Sequence, residues 1–265
     1  MNISKPISEE LAKYLINLAD KYETIKFFSG DPSCILCRYT CPEDLEVAAF
    51  IAAMLAFGRR DQFLPKTEYI MDLADKKGGP KAWLQSGDFN KDFIPSGIDS
   101  SAKFYRFYSY CQLIDLFSRL NTILNESENF GLYVKRCHSK LCQERIVVGK
   151  EEPLLAESIS LCFKGCAIVP QGANSAKKRI HMFLRWMVRQ NSPVDKGFWN
   201  WYEPSKLIIP LDTHVIQQGI KMGLLPLNAT ATEKTARILT DKLKEIWPLD
   251  PCRGDYALFG SGVDK

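Results

Sequence analysis

Two residues in this sequence are placed to do chemistry on an electron-poor carbon, Asp212 and Lys178. Asp212 follows Ile208-Ile209-Pro210-Leu211 and precedes Thr213-His214-Val215. Pro210 ends the segment before it, and a helix from Thr213 to Met222, closed by Gly223, is expected after it, so Asp212 stands at an N-cap. The apolar run just upstream would fix this carboxylate against the protein body, where it could accept amide hydrogen bonds and face a developing positive charge. Lys178 opens a second pattern. The breaker-rich turn Val169-Pro170-Gln171-Gly172-Ala173-Asn174-Ser175 runs into a predicted helix from Ala176 to Gln190, with Ser175 as its expected N-cap. Ile180, Phe183, Leu184, Met187 and Val188 fall on one apolar face of that helix. Lys178, Arg185 and Arg189 fall within roughly 20° of a common line on the other side, at about 100° per residue. A lysine nucleophile needs a neutral amine, and neighbouring cations and a helix N-terminus favour that form. Lys177 and Arg179 flank Lys178, and Arg185 lies two turns along its face. Lys177 is the rival nucleophile, turned about 100° away from the stripe. Plain solvation of the stripe, or phosphate holding by both lysines, are the alternative readings.

The elements that must position these residues read as helices. Ser8 to Tyr22 has Leu11, Leu15 and Leu18 at helical spacing, and a loop through Gly30-Asp31-Pro32 follows. Pro42-Glu43-Asp44 opens a run from Leu45 to Phe57 so continuously apolar that this helix must be buried nearly all round, as the spine of the fold. Further helices are predicted over 61–77, 101–125, 153–162 and 232–246. Residues 145–149 and 207–209 are apolar and β-branched but too short to build a sheet. The pattern predicts an all-α fold, a single domain over residues 1–265 with two lobes meeting at a cleft.

Composition sets limits without choosing among functions. With 46% hydrophobic residues in 265, the chain can bury a proper core. Its 35 Lys and Arg against 31 Asp and Glu leave only +4, so nucleic acid binding would require clustered cations. No apolar window is long enough for a membrane span, and the first residues lack the core of a signal peptide, so a cytoplasmic protein with no membrane partner is expected. Nine cysteines in such a chain are read as reduced thiols. Cys34, Cys37 and Cys41 could supply three ligands to a metal, which is the basis of a thiol-ligated metal or redox reading, but no fourth accompanies them and no metal or other cofactor is expected.

The string Pro210-Leu211-Asp212-Thr213-His214-Val215 resembles the motif of the helix-hairpin-helix DNA glycosylase superfamily, the group of endonuclease III and the archaeal 8-oxoguanine DNA glycosylases. The segment 46–60 resembles that superfamily's long buried early helix. The helix over 232–246 and Asp255-Tyr256-Ala257-Leu258-Phe259-Gly260 resemble its two closing helices. Arg185-Trp186-Met187-Val188-Arg189 is similar to a bacterial family with no assigned function. The turn at 169–174 keeps only part of the superfamily's hairpin, and the four-cysteine loop of endonuclease III has no counterpart, so no iron–sulfur cluster is expected. The resemblance implies a two-lobed helical fold with a helix-hairpin-helix-like element, Asp212 as catalytic aspartate and Lys178 as Schiff-base lysine. It implies a monomer that binds double-stranded DNA and excises damaged bases, with or without AP-lyase activity. Phosphate contacts are expected from Lys177, Lys178, Arg185, Arg189 and the backbone amides around Gly172, and Arg59 and Arg60 are candidates for entering the DNA. The alternative is a non-catalytic DNA-binding protein that keeps the glycosylase fold.

Overall fold

The computed structural model describes residues 5–26 and 30–263. Their regular elements are helices and one two-stranded hairpin, and the chain divides into two units, residues 30–170 and a unit made of residues up to 29 together with those from 171 on.

In the unit of residues 30–170, the spine is helix α2 (Pro42–Leu55), where every residue from Leu45 to Leu55 is buried. The expected all-round burial is therefore observed. A run with no polar stripe can only be satisfied by neighbours on every side, and these include a 3-10 turn (Pro32–Cys37), α3 (Arg60–Asp75), α4 (Pro80–Ser86) and α7 (Phe130–Val147). Even Glu46 is buried, where its carboxylate accepts the Gly131 amide at 3.0 Å near the start of α7. The short α5 (Phe89–Asp92) and α6 (Tyr110–Glu126) contribute Phe89 and Phe117 to an edge-to-face cluster with Trp83.

The structure corrects one expectation here. Residues 101–125 are not one helix: strands β1 (Lys103–Tyr105) and β2 (Tyr108–Ser109) pair antiparallel first, and α6 begins at Tyr110 behind a Ser109–Gln112 capping box. The aromatic run Phe104-Tyr105-Arg106-Phe107-Tyr108 suits a pleated surface better than a helix, and Arg106 turns the hairpin with φ of 50°. Residues 145–149 build no sheet, as expected; they are the last turn of α7, which starts from the N-cap Asn129, and the turn that follows it, and α8 (Leu155–Cys162) comes next.

The second unit consists of α1 (Glu9–Tyr22), α9 (Lys178–Val188), α10 (Thr213–Lys221), α11 (Glu233–Lys244) and α12 (Arg253–Val263). Helices α1 and α12 lie closely together. At Gly260 on α12, a Cβ would stand 2.3 Å from Cγ of Tyr22, so only glycine allows this approach. Leu207–Ile209 is extended, buried and unpaired by any strand, its Ile209 amide taken by the Thr240 hydroxyl at 3.1 Å. Among the described residues, no helix is long and apolar enough to cross a membrane.

Candidate active site

Asp212 occupies the N-cap of α10 in extended conformation, and its Oδ1 accepts the Val215 amide at 3.0 Å. Capping employs that oxygen and leaves Oδ2 directed elsewhere. Lys178, the first residue of α9, brings its Nζ to 3.7 Å from this Oδ2. Both side chains are half-buried, 28% and 22% exposed, which leaves the pair reachable from solvent. The two residues singled out in the sequence thus share one place, at the N-terminal ends of two helices.

The adjacent lysine goes elsewhere because the backbone turns sharply. Lys177 takes a left-handed conformation, φ 42°, so α9 starts at Lys178 rather than at Ala176, and Ser175 accepts the Lys177 amide at 3.2 Å. Lys177 is 4% exposed and its Nζ donates to Oε2 of Glu233 at 2.9 Å, at the start of α11. Burial raises the pKa of Glu233, but the bonds from Lys177 and Arg237 outweigh it and hold the carboxyl below its ordinary value. Lys177 is therefore committed to a salt bridge, and the geometry selects Lys178 as the amine beside Asp212.

The solvent-facing cationic stripe is corrected. Arg185 and Arg189 are 3% and 1% exposed, so their guanidinium groups do not present themselves to a phosphate backbone. Arg189 donates Nε to Asp250 at 2.8 Å and Nη2 to Glu23 at 2.8 Å, and also bonds Asp195. Burial pushes Glu23 upward, yet Arg189 and Arg253 bring it below the usual carboxylate range. Arg185 bonds Asp255 and lies with its guanidinium carbon 4.3 Å from the centre of the Tyr256 ring. The physical reason is compensation: a planar five-donor group can be taken from water when carboxylates and an aromatic face meet it from several directions.

This network adds a residue to the site that residue spacing did not single out. Asp255, at the start of α12, is buried and bonded to Arg185, and both Asp212 and Lys178 act on it electrostatically. Burial raises its pKa to about 6, against the opposing pull of Arg185 and with a further push from the Asp212 charge. The buried Arg185 thus anchors a second carboxylate behind the Lys178–Asp212 pair.

The turn ahead of α9 is open. Residues 171–174 are exposed, and Gly172 has φ of 94° with nothing within 4 Å of where a Cβ would stand. Residues 163–177, which lead from α8 to α9, form no helix. Arg59 and Arg60 belong to the other unit, at the start of α3, where they pair with Asp61 at 2.6 Å and Asp31 at 3.3 Å. Cys34 is half-buried and Cys37 and Cys41 are exposed; their thiols do not converge on a common point, and Cys41 bonds Glu43 at 2.9 Å. A hollow lined by Asp20, Glu23, Arg189, Asp250 and Arg253 lies over the arginine network and includes neither Lys178 nor Asp212.

The sequence model of one protein family matches residues 31–264, and that family is described as a protein of unknown function, DUF2400. No curated protein and no solved structure matches the chain.

Proposed function

Since the chain belongs to the DUF2400 family, which carries no assigned activity, we propose from its geometry that it is a DNA glycosylase with AP-lyase activity, of the kind found in the helix-hairpin-helix superfamily. The observation that carries this reading is the Lys178–Asp212 pair, an amine and a carboxylate 3.7 Å apart and open to solvent at two helix N-termini.

In the proposed reaction on double-stranded DNA, the damaged nucleotide is turned out of the duplex. The amine of Lys178, having given a proton to Asp212, attacks the anomeric carbon, and the base departs with the electrons of the glycosidic bond and takes that proton from Asp212, which returns to the carboxylate. Positive charge develops on the sugar during that step, and a fixed carboxylate stabilises it electrostatically. Ring opening then gives a Schiff base on Lys178, from which elimination of the 3′ phosphate follows. Asp255 serves as a positioning residue, holding a second charge behind the pair and tying α12 to α9 through Arg185. The footprint on DNA is narrower than the cationic stripe suggested: the exposed backbone at 171–174 and the N-terminus of α9 are the groups left to meet phosphate.

Borohydride trapping tests the reading. Incubation with a panel of lesion-bearing duplexes is expected to yield a covalent protein–DNA adduct with the parent and with Lys177→Ala, and none with Lys178→Ala. An adduct that survives in Lys178→Ala refutes the assignment. Lack of an adduct from every lesion tried refutes the lyase chemistry.

A further inference from the structure

Helix α7, the loop after it and α8 bring together a set of donors away from the site above. His138 and Cys142 stand one turn apart on α7, and Glu152 comes from the loop that leads to α8. One ligand atom from each lies within 4.8 Å of those of the other two. Nδ1 of His138 is 2.9 Å from the hydroxyl of Ser158 on α8, and Nε2 lies on the Cys142 side, 3.6 Å from Sγ. With Nδ1–H donating to Ser158, the lone pair on Nε2 points where a shared ion would sit. Such an outer hydrogen bond is the usual means of fixing a ligating imidazole.

The spacing fits a metal. A tetrahedral zinc ion with bonds of about 2.05 Å to nitrogen and about 2.3 Å to sulfur separates those two atoms by about 3.6 Å. The measured separation is 3.6 Å. Imidazole, thiolate and carboxylate together suit the borderline softness of zinc and are a poor match for calcium or magnesium, which take oxygen. His138 is buried, Cys142 half-buried and Glu152 exposed, so the three donors leave the solvent side for a water as fourth ligand.

We propose that His138, Cys142 and Glu152 bind a single Zn²⁺ ion that clasps the loop between α7 and α8. Binding converts the Cys142 thiol to thiolate with release of one proton to solvent, so affinity falls in acid. The site is independent of the Lys178–Asp212 reading and concerns the other unit of the chain.

Cobalt substitution tests it. The full chain is kept reduced, stripped with chelator and titrated with Co²⁺, and then back-titrated with Zn²⁺. The expected result is one equivalent bound, a thiolate-to-cobalt charge-transfer band with tetrahedral visible bands, and bleaching by zinc. Cys142→Ser abolishes the charge-transfer band, and Glu152→Gln, a change at an exposed position that leaves folding intact, weakens binding at least tenfold. Ser158→Ala weakens it about 10- to 100-fold through the unanchored imidazole. Simultaneous Cys34→Ser, Cys37→Ser and Cys41→Ser leaves the spectrum unchanged. The proposal is overturned if no cobalt–thiolate band forms, which leaves the 3.6 Å approach as a thiol–imidazole hydrogen bond. It is overturned equally if the band persists in Cys142→Ser or disappears in the triple variant.

Discussion

Acid should destabilise this protein through one histidine. His181 on α9 is 2% exposed, and neither ring nitrogen has a hydrogen-bond partner. Burial, reinforced by the charge of Lys177, lowers its pKa from 6.5 to about 3. Between those values the unfolded chain takes up a proton that the native protein refuses, so unfolding consumes protons and stability falls as pH falls. The contribution is complete above pH 6.5 and is lost progressively down to about 3. At about 1.36 kcal/mol per pH unit, the step from 6.5 to about pH 5 costs about 2 kcal/mol, or about 4–8 °C in Tm for a chain of this size. Asp255 acts in the opposite sense. Its pKa is raised from 3.8 to about 6, so its contribution is complete below 3.8 and is lost as pH rises through 6. The quantity to measure is therefore the pH dependence of the difference between the parent and His181→Leu, which nearly keeps the volume and removes the titration. Urea unfolding followed by circular dichroism from about pH 7.5 to about pH 5 should show the parent losing about 2 kcal/mol relative to the variant. At neutral pH the variant should be as stable as the parent or more so, since it removes buried polar atoms that lack partners. Parallel loss in the two proteins would refute the reasoning.

Three further outcomes are expected. Arg189→Ala leaves Asp195 buried without its main counter-charge and should cost about 3–5 kcal/mol in urea unfolding, with no rescue by lysine, which lacks the fork that meets several carboxylates at once. Gly260→Ala drives a methyl group into the Tyr22 ring and should lower stability by about 1–3 kcal/mol, seen as a fall in Tm. Asp212→Asn preserves the cap on α10 and should change stability by less than about 0.5 kcal/mol, while base excision measured on a cleavable lesion duplex falls about 10²- to 10³-fold.

The parts of the site that were legible in the sequence are those set by local rules. An apolar run ending in proline just before an aspartate, with an amphipathic helix after it, marks a cap, and the cap at Asp212 is where the pattern puts it. The apolar run of α2 likewise announces its own burial. Arg185 and Arg189 escaped because helical periodicity separates two faces without saying what covers either. The carboxylates that meet them, Glu23, Asp195, Asp250 and Asp255, come from segments before and after α9. A cationic face paired with scattered acids looks the same in sequence as one exposed to water. The choice between Lys177 and Lys178 was hidden for a related reason: it depends on one left-handed residue at Lys177, a conformation that a lysine does not advertise. The hairpin at 103–109 and the whole of α7 were missed where aromatic and mixed polar residues gave no clear period.

The packing of α1 on α12 has a consequence for the order of events on the ribosome. The unit of residues 30–170 is one continuous stretch, whereas Tyr22 finds Tyr256, and Glu23 finds Arg253, only after some 230 further residues have been joined. At roughly 5–20 residues per second, that interval lasts about 12–46 s. Through it, Leu15, Ala19 and Tyr22, all buried in the finished protein, remain without the helix that Tyr22 packs against. The nascent chain thus carries the apolar face of the amphipathic helix α1 well before its partner exists. A chaperone that binds such a helix should capture ribosome-held chains that stop short of residue 253 and release them once α12 has emerged.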